Sequence, residues 1–191
     1  MRKTLALVAV KKRSESPGRV QARLGGLRTS LVIAAVLYVL DALVLDQGVL
    51  AILAVLIVAV IRLPRAVLAL VRAGWAAARS HALTVLIYVL MAVSVLGTKY
   101  VNDRIARDRA DVVIAAVRQF ELRHGRLPDR LEELAPNFLP SVPRAKYTLV
   151  AVFNSFTYDA TPGRHVLMWT ALPPFGRVTY NFEQGRWGHL D

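Results

Sequence analysis

The sequence predicts a membrane-anchoring set of α-helices joined to a small α+β head, with one long helix running from the last apolar segment onto a small antiparallel sheet. Three observations predict it. Charge is sparse between Leu31 and Gly97, whereas Lys99 to Asp191 has ordinary soluble composition. Lys and Arg crowd the flanks of the apolar runs. After residue 144 the runs shorten and become rich in β-branched and aromatic residues.

At 191 residues the chain has room for one modest domain beside a membrane region. Its apolar fraction of 55% and mean hydropathy of +0.42 exceed those of a typical globular chain, so the excess must be localised. The apolar stretch Leu31 to Ile61 would reach roughly 46 Å as one helix, against a hydrocarbon core of about 30 Å. Asp46-Gln47-Gly48 near its middle carries a turn signal, so a helical hairpin is expected. The expected boundaries are a basic tail over 1–30, membrane spans at about 29–46, 47–62 and 82–98, an interfacial helix over 63–80, and a head over 99–191. Val67, Leu70, Val71 and Trp75 mark that interfacial helix, with arginines between them.

The net charge of +12 is distributed so as to exclude a nucleic-acid reading. Residues 1–30 hold eight Lys and Arg against one acid, Glu15, and residues 62–81 hold Arg62, Arg65, Arg72 and Arg79 with no acid. Beyond Gly97, thirteen basic residues face ten acidic ones, so the head is only mildly basic. Basic flanks belong on the cytoplasmic side, where anionic lipids are the expected partner. The head is then expected outside the cytoplasm of a bacterial inner membrane. Met1 to Val10 is too short an apolar run for a signal peptide, and it reads as an uncleaved tail.

From Lys99 onward Val101, Ile105, Val112, Val113, Ala116, Val117 and Phe120 recur at helical spacing, and no Pro or Gly interrupts until Gly125. A helix of about 40 residues from Ala82 to Gly125 follows. Pro128 forbids its continuation, and Asp129 is placed to cap a short helix with Glu132, burying Leu131 and Leu134. Five strand-like runs come next: Lys146 to Phe153, Ser155 to Ala160, His165 to Leu172, Arg177 to Phe182 and Arg186 to Leu190. Turn signals at Thr161 to Arg164 and Glu183 to Gly185 make them a meander.

The stretch from Ala82 to Pro143 resembles the type IV pilins and type II secretion pseudopilins. Phe120, His124-Gly125, Leu127-Pro128, Leu131, Leu134, Pro136 and Pro143 stand where those proteins follow a membrane helix with a Gly-x-x-Pro segment and Leu-rich and Pro-rich residues. The resemblance implies a pilin-like head on a membrane helix, with a role in a secretion-like or pilus-like assembly. Around the span, His81 to Tyr88 reads HALTVLIY, with no prepilin cleavage site and no Glu. A permanently anchored head follows, in place of a processed subunit.

Chemistry has few candidates. Cysteine is absent, and His81, His124, His165 and His189 are scattered without metal-ligand spacing, so no metal or cofactor is implied. Asp129, Glu132 and Glu133 read as capping and solvation. Asp41 in the first apolar arm is either a polar relay, with Tyr38 one turn earlier as its hydrogen-bond partner, or a carboxylate reaching water near the arm's end. Trp169, Phe175 and Trp187 are a candidate interaction surface, or else core aromatics of the sheet. The leading expectation is a non-enzymatic envelope protein binding another envelope protein or itself. The rivals are an ion-handling or small-molecule-handling membrane protein and a membrane-tethered enzyme.

Overall fold

The computed structural model describes residues 17–172 and 176–190. The basic tail expected over 1–30 lies partly outside them, as does Phe175. Helix α1 (Pro17–Tyr38) passes into a π-helical turn, Val39–Leu45. The chain then breaks at Asp46-Gln47-Gly48 and turns into α2 (Val49–Ala73). Asp46 and Gly48 both take positive φ, 53° and 84°. At Gly48 the backbone disfavours any side chain, and a Cβ would also press against Leu96 Cδ2 at 3.0 Å.

Only Gly74 separates α2 from α3 (Trp75–His124), a single helix of 50 residues. Its φ of 79° reverses the chain, so that Arg62 lies beside His81 and Gly48 beside Leu96. The separate interfacial helix expected over 63–80 is therefore not present. Its first part extends α2 straight through Pro64, and its second part opens α3. The missing backbone donor at Pro64 does not end the helix; the positive φ at Gly74 does.

Among the described residues, three helices are long and apolar enough to cross a membrane by length and composition, over Leu24–Leu45, Val49–Ala73 and within Trp75–His124. Their outward faces carry exposed Leu, Val and Ile, among them Leu56, Val60, Val71, Leu90 and Val93. Their shared core is built mainly on small residues: Ala34, Ala42, Ala51 and Ala92 with Tyr88, Met91 and Val95.

Beyond Thr98 the same helix changes partner. Ala106, Ala110, Val113, Ala116, Val117 and Phe120 form one buried stripe. Gly125, at φ 69°, closes the helix with its N–H donating to Glu121 O at 2.8 Å. Pro128 is fully buried, and a one-turn 3₁₀ helix, Leu131–Leu134, inserts Leu131 and Leu134 into the core. The cap differs from expectation by one residue. Arg130 takes the cap position, and Glu133 Oε1 accepts the N–H groups of Asp129 and Arg130 at 2.8 and 3.0 Å.

The sheet is an antiparallel meander, β1 (Thr157–Thr161), β2 (Arg164–Leu172), β3 (Gly176–Asn181) and β4 (Arg186–Leu190), in the order β1-β2-β3-β4. Leu167, Trp169 and Phe182 carry the core between it and α3. Lys146 to Phe153 is not a strand as expected. Residues 146–150 are irregular, and Ala151–Asn154 forms a single turn, α4. Its backbone donors serve other partners: Ala145 and Lys146 N–H go to Asn154 O, and Leu149 N–H reaches Leu43 O at 2.8 Å.

Candidate functional site: a buried polar junction

Asp41 sits in the π-helical turn and is fully buried. Its carbonyl accepts the N–H groups of Asp46 and Gln47, which winds the chain into the turn. Its carboxylate crosses to the start of α2, where Oδ1 accepts the Gly48 N–H at 3.0 Å and Oδ2 accepts the Ala51 N–H at 2.7 Å. The first amides of a helix have no intrahelical acceptor and form the positive end of its dipole. Asp41 thus caps α2 from the preceding element, instead of reaching water at the end of its arm. Tyr38 is not its partner: the Tyr38 hydroxyl pairs with Thr98 Oγ1 at 3.0 Å, tying α1 to α3.

Asp46 anchors the larger constellation. It too is fully buried, with Oδ1 accepting from Asn102 Nδ2 at 3.3 Å and Oδ2 lying 2.6 Å from Lys146 Nζ. Lys146 is itself fully buried and also donates to Ala171 O at 3.3 Å. Asp103 Oδ1 lies 3.0 Å from the same ammonium, a charge contact off the hydrogen-bonding direction. On its other side Asp103 Oδ2 accepts from Lys99 Nζ at 2.8 Å, and Lys99 shares the Ala171 carbonyl at 2.8 Å.

Two lysines and two aspartates balance to zero; they come from the hairpin tip, α3 and the loop before α4, and β2 adds the Ala171 carbonyl. Residues 100 positions apart meet in the Asp46–Lys146 pair. A buried pair offsets its desolvation only with good geometry and further hydrogen bonds, which Asn102 and Ala171 supply. Chemically the cluster is a pin, because its ammonium and carboxylate groups are occupied by one another. It joins the apolar helices to the sheet domain.

The remaining candidates fall elsewhere. Trp169 is 3% exposed and belongs to the core, stacked edge-on against Phe156 and Trp187, so it offers no surface to a partner. Trp187 is half-buried, with the Arg107 guanidinium 3.4 Å from its ring centre. His165 and Glu183 join the start of β2 to the β3–β4 turn through the His165 N–H and ring nitrogen, the latter at 2.7 Å. Partial burial opposes the charge on Glu183, yet these hydrogen bonds hold its carboxyl below the usual range. Glu133 is lowered in the same way, with burial opposing and Arg126 and two backbone N–H groups prevailing. His124 stacks on Phe120 at 4.2 Å. Among the described residues, no three of His, Cys, Asp or Glu converge as metal ligands.

At the far end of α3, Pro128, Leu131 and Leu134 are buried, while Gly125 is exposed. Asp129 and Pro136 are exposed there, while Pro143 lies near the junction. Sequence reasoning missed Asp46 and Lys146 as a pair. Asp46 read as a turn residue, and the only signal from Lys146 was a single cation before an apolar run. In comparisons with known proteins, no family model, curated protein or solved structure matches this chain.

Proposed function

We propose that the chain is a non-enzymatic envelope protein in which three apolar helices cross an inner membrane and present a pilin-like α+β head outside the cytoplasm. There the head binds another envelope protein or assembles with itself, in the manner of a secretion or pilus system. One observation carries the reading: a single uninterrupted helix, α3, has an apolar exterior before Thr98 and a packed sheet against it after Lys99. A helix shared by both parts transmits the position of one directly to the other. The orientation is supported by the arginines at 62–79, which lie at the opposite end of the helices from the sheet domain.

Reporter fusions after Gly48, after Arg79 and at Asp191 test the arrangement. Outside, inside and outside, respectively, is the expected pattern, and a cytoplasmic reporter at Asp191 overturns it. A photo-crosslinker at exposed His189 on edge strand β4 is expected to trap a protein partner or a second copy in intact membranes. Saturable hydrolysis by the full chain, lost on changing one polar residue, would defeat the non-enzymatic part.

A further inference from the structure

The segment Tyr147 to Phe153 is built inside out. Tyr147, Leu149 and Val152 are 62%, 71% and 75% exposed, while the polar side chains on either side point inward. Thr148 and Asn154 are buried, with Thr148 Oγ1 donating to Val150 O and Asn154 Nδ2 donating to Thr148 O. A loop facing water arranges these residues the other way round. Its place in the molecule explains the inversion. Leu149 donates its N–H to Leu43 O, so the segment lies against the last turn of the first apolar stretch, Leu24–Leu45.

We propose that Tyr147 to Phe153 dips into the outward leaflet of the bilayer and seats the head on the membrane surface. The proposal rests on the reading that the three helices cross that bilayer. The occupant is lipid because the patch continues the apolar exterior of α1 and the π-helical turn, where Val39 and Leu40 are also exposed. The rim has the matching chemistry. Arg109 donates to the Arg144 carbonyl at 2.8 Å and to the Tyr147 hydroxyl, and its guanidinium lies 4.4 Å from the Tyr147 ring centre. Arg109, Arg144 and Tyr147 line a groove with Leu43 and Leu149, so cations and an aromatic hydroxyl stand at headgroup depth beside aliphatic side chains. The polar pin at Asp46 and Lys146 sits directly behind, holding the loop at that depth.

The absence of native cysteine permits single-site labelling of the full chain. Leu149→Cys, Val152→Cys, Val60→Cys and Leu122→Cys variants, each carrying an environment-sensitive fluorophore, are placed in nanodiscs with and without brominated lipid. Val60 is 74% exposed on α2 and reports whether the helices cross the bilayer; Leu122 is 87% exposed far along α3 and serves as the water-facing reference. The expected result is quenching at 149 and 152 of at least half that at 60, with none at 122. Quenching at 60 with 149 and 152 behaving like 122 overturns the seated loop and leaves the membrane reading intact. No quenching at 60 overturns both. Reduced lipid quenching at 149 in a Lys146→Met background would assign the depth of the loop to the pin; unchanged quenching there would refute that assignment.

Discussion

The two halves of α3 share one backbone and bury different chemistry. Before Thr98 the helix packs through Thr84, Tyr88, Met91, Ala92 and Val95 onto the alanines of α1 and α2, and its outer face carries Leu86, Leu90 and Val93. After Lys99 it packs through Ala106, Ala110, Val113, Ala116, Val117 and Phe120 beneath the large side chains of Leu167, Trp169 and Phe182. Close helix contact through small residues suits a surrounding as apolar as the helix itself, where backbone proximity and dispersion do most of the work. Large aromatics suit a core that must exclude water from one side only. The junction at residues 99–103 lies where the two regimes meet, and it is there that the charged groups are buried.

Breaking the junction should have the largest effect. Lys146→Ala leaves fully buried Asp46 without its cation, while Asp103 keeps Lys99, and is expected to cost about 3 to 5 kcal/mol; the paired change Asp46→Asn with Lys146→Met, which removes both charges and suits the positive φ at 46, should cost much less. Denaturant unfolding of the full chain in detergent micelles measures both. A Lys146→Ala variant as stable as the parent would show that the pin holds nothing.

The two cores should respond in opposite directions to side-chain size. Trp169→Ala opens a cavity in the aromatic core and should lower stability by about 3 to 5 kcal/mol. At fully buried Ala51, the damaging change is enlargement, and Ala51→Leu should cost about 1 to 3 kcal/mol by pushing α2 off α3. Equal tolerance of enlargement at Ala51 and at exposed Leu56 would erase the distinction.

Asp41 sharpens the comparison at the hairpin tip. Asp41→Ala leaves the Gly48 and Ala51 amides without their acceptor, and a loss of about 1 to 2 kcal/mol is expected. Asp41→Asn keeps one oxygen and should fall between. If Asp41→Asn instead leaves stability unchanged while removing a cellular activity, the capping account is incomplete and the relay reading returns.

The smallest effect is acid sensitivity confined to the head. The Glu133 and Glu183 carboxyls are held below their ordinary range by their donors. Their contribution is therefore complete above the unfolded value, about 4.3, and disappears as pH falls through the lower folded values. Because both groups are partly exposed, each should contribute under about 1 kcal/mol. Unfolding midpoints between pH 7 and pH 3 should fall less steeply in a Glu133→Gln, Glu183→Gln double variant than in the parent.

What the sequence determined by itself was local: apolar runs of helix length, the turn signal at Asp46-Gln47-Gly48, the stop at Gly125 and Pro128, and the alternating strands from Ser155 onward. Each depends on neighbours within a few residues, so spacing and turn chemistry are enough to read it. Tertiary structure decided the rest. Lys146 to Phe153 carries β-branched residues in a strand-like run, yet its backbone donors are claimed by Asn154 and Leu43 and its polar side chains turn inward. The second helix runs through Pro64 and ends at Gly74, a choice that the two residue types alone do not make. The identity of Asp46 as the buried partner of Lys146 was beyond the sequence altogether, since nothing in a linear chain records which of its charges will be brought together across 100 residues when the helices and the sheet close on one another.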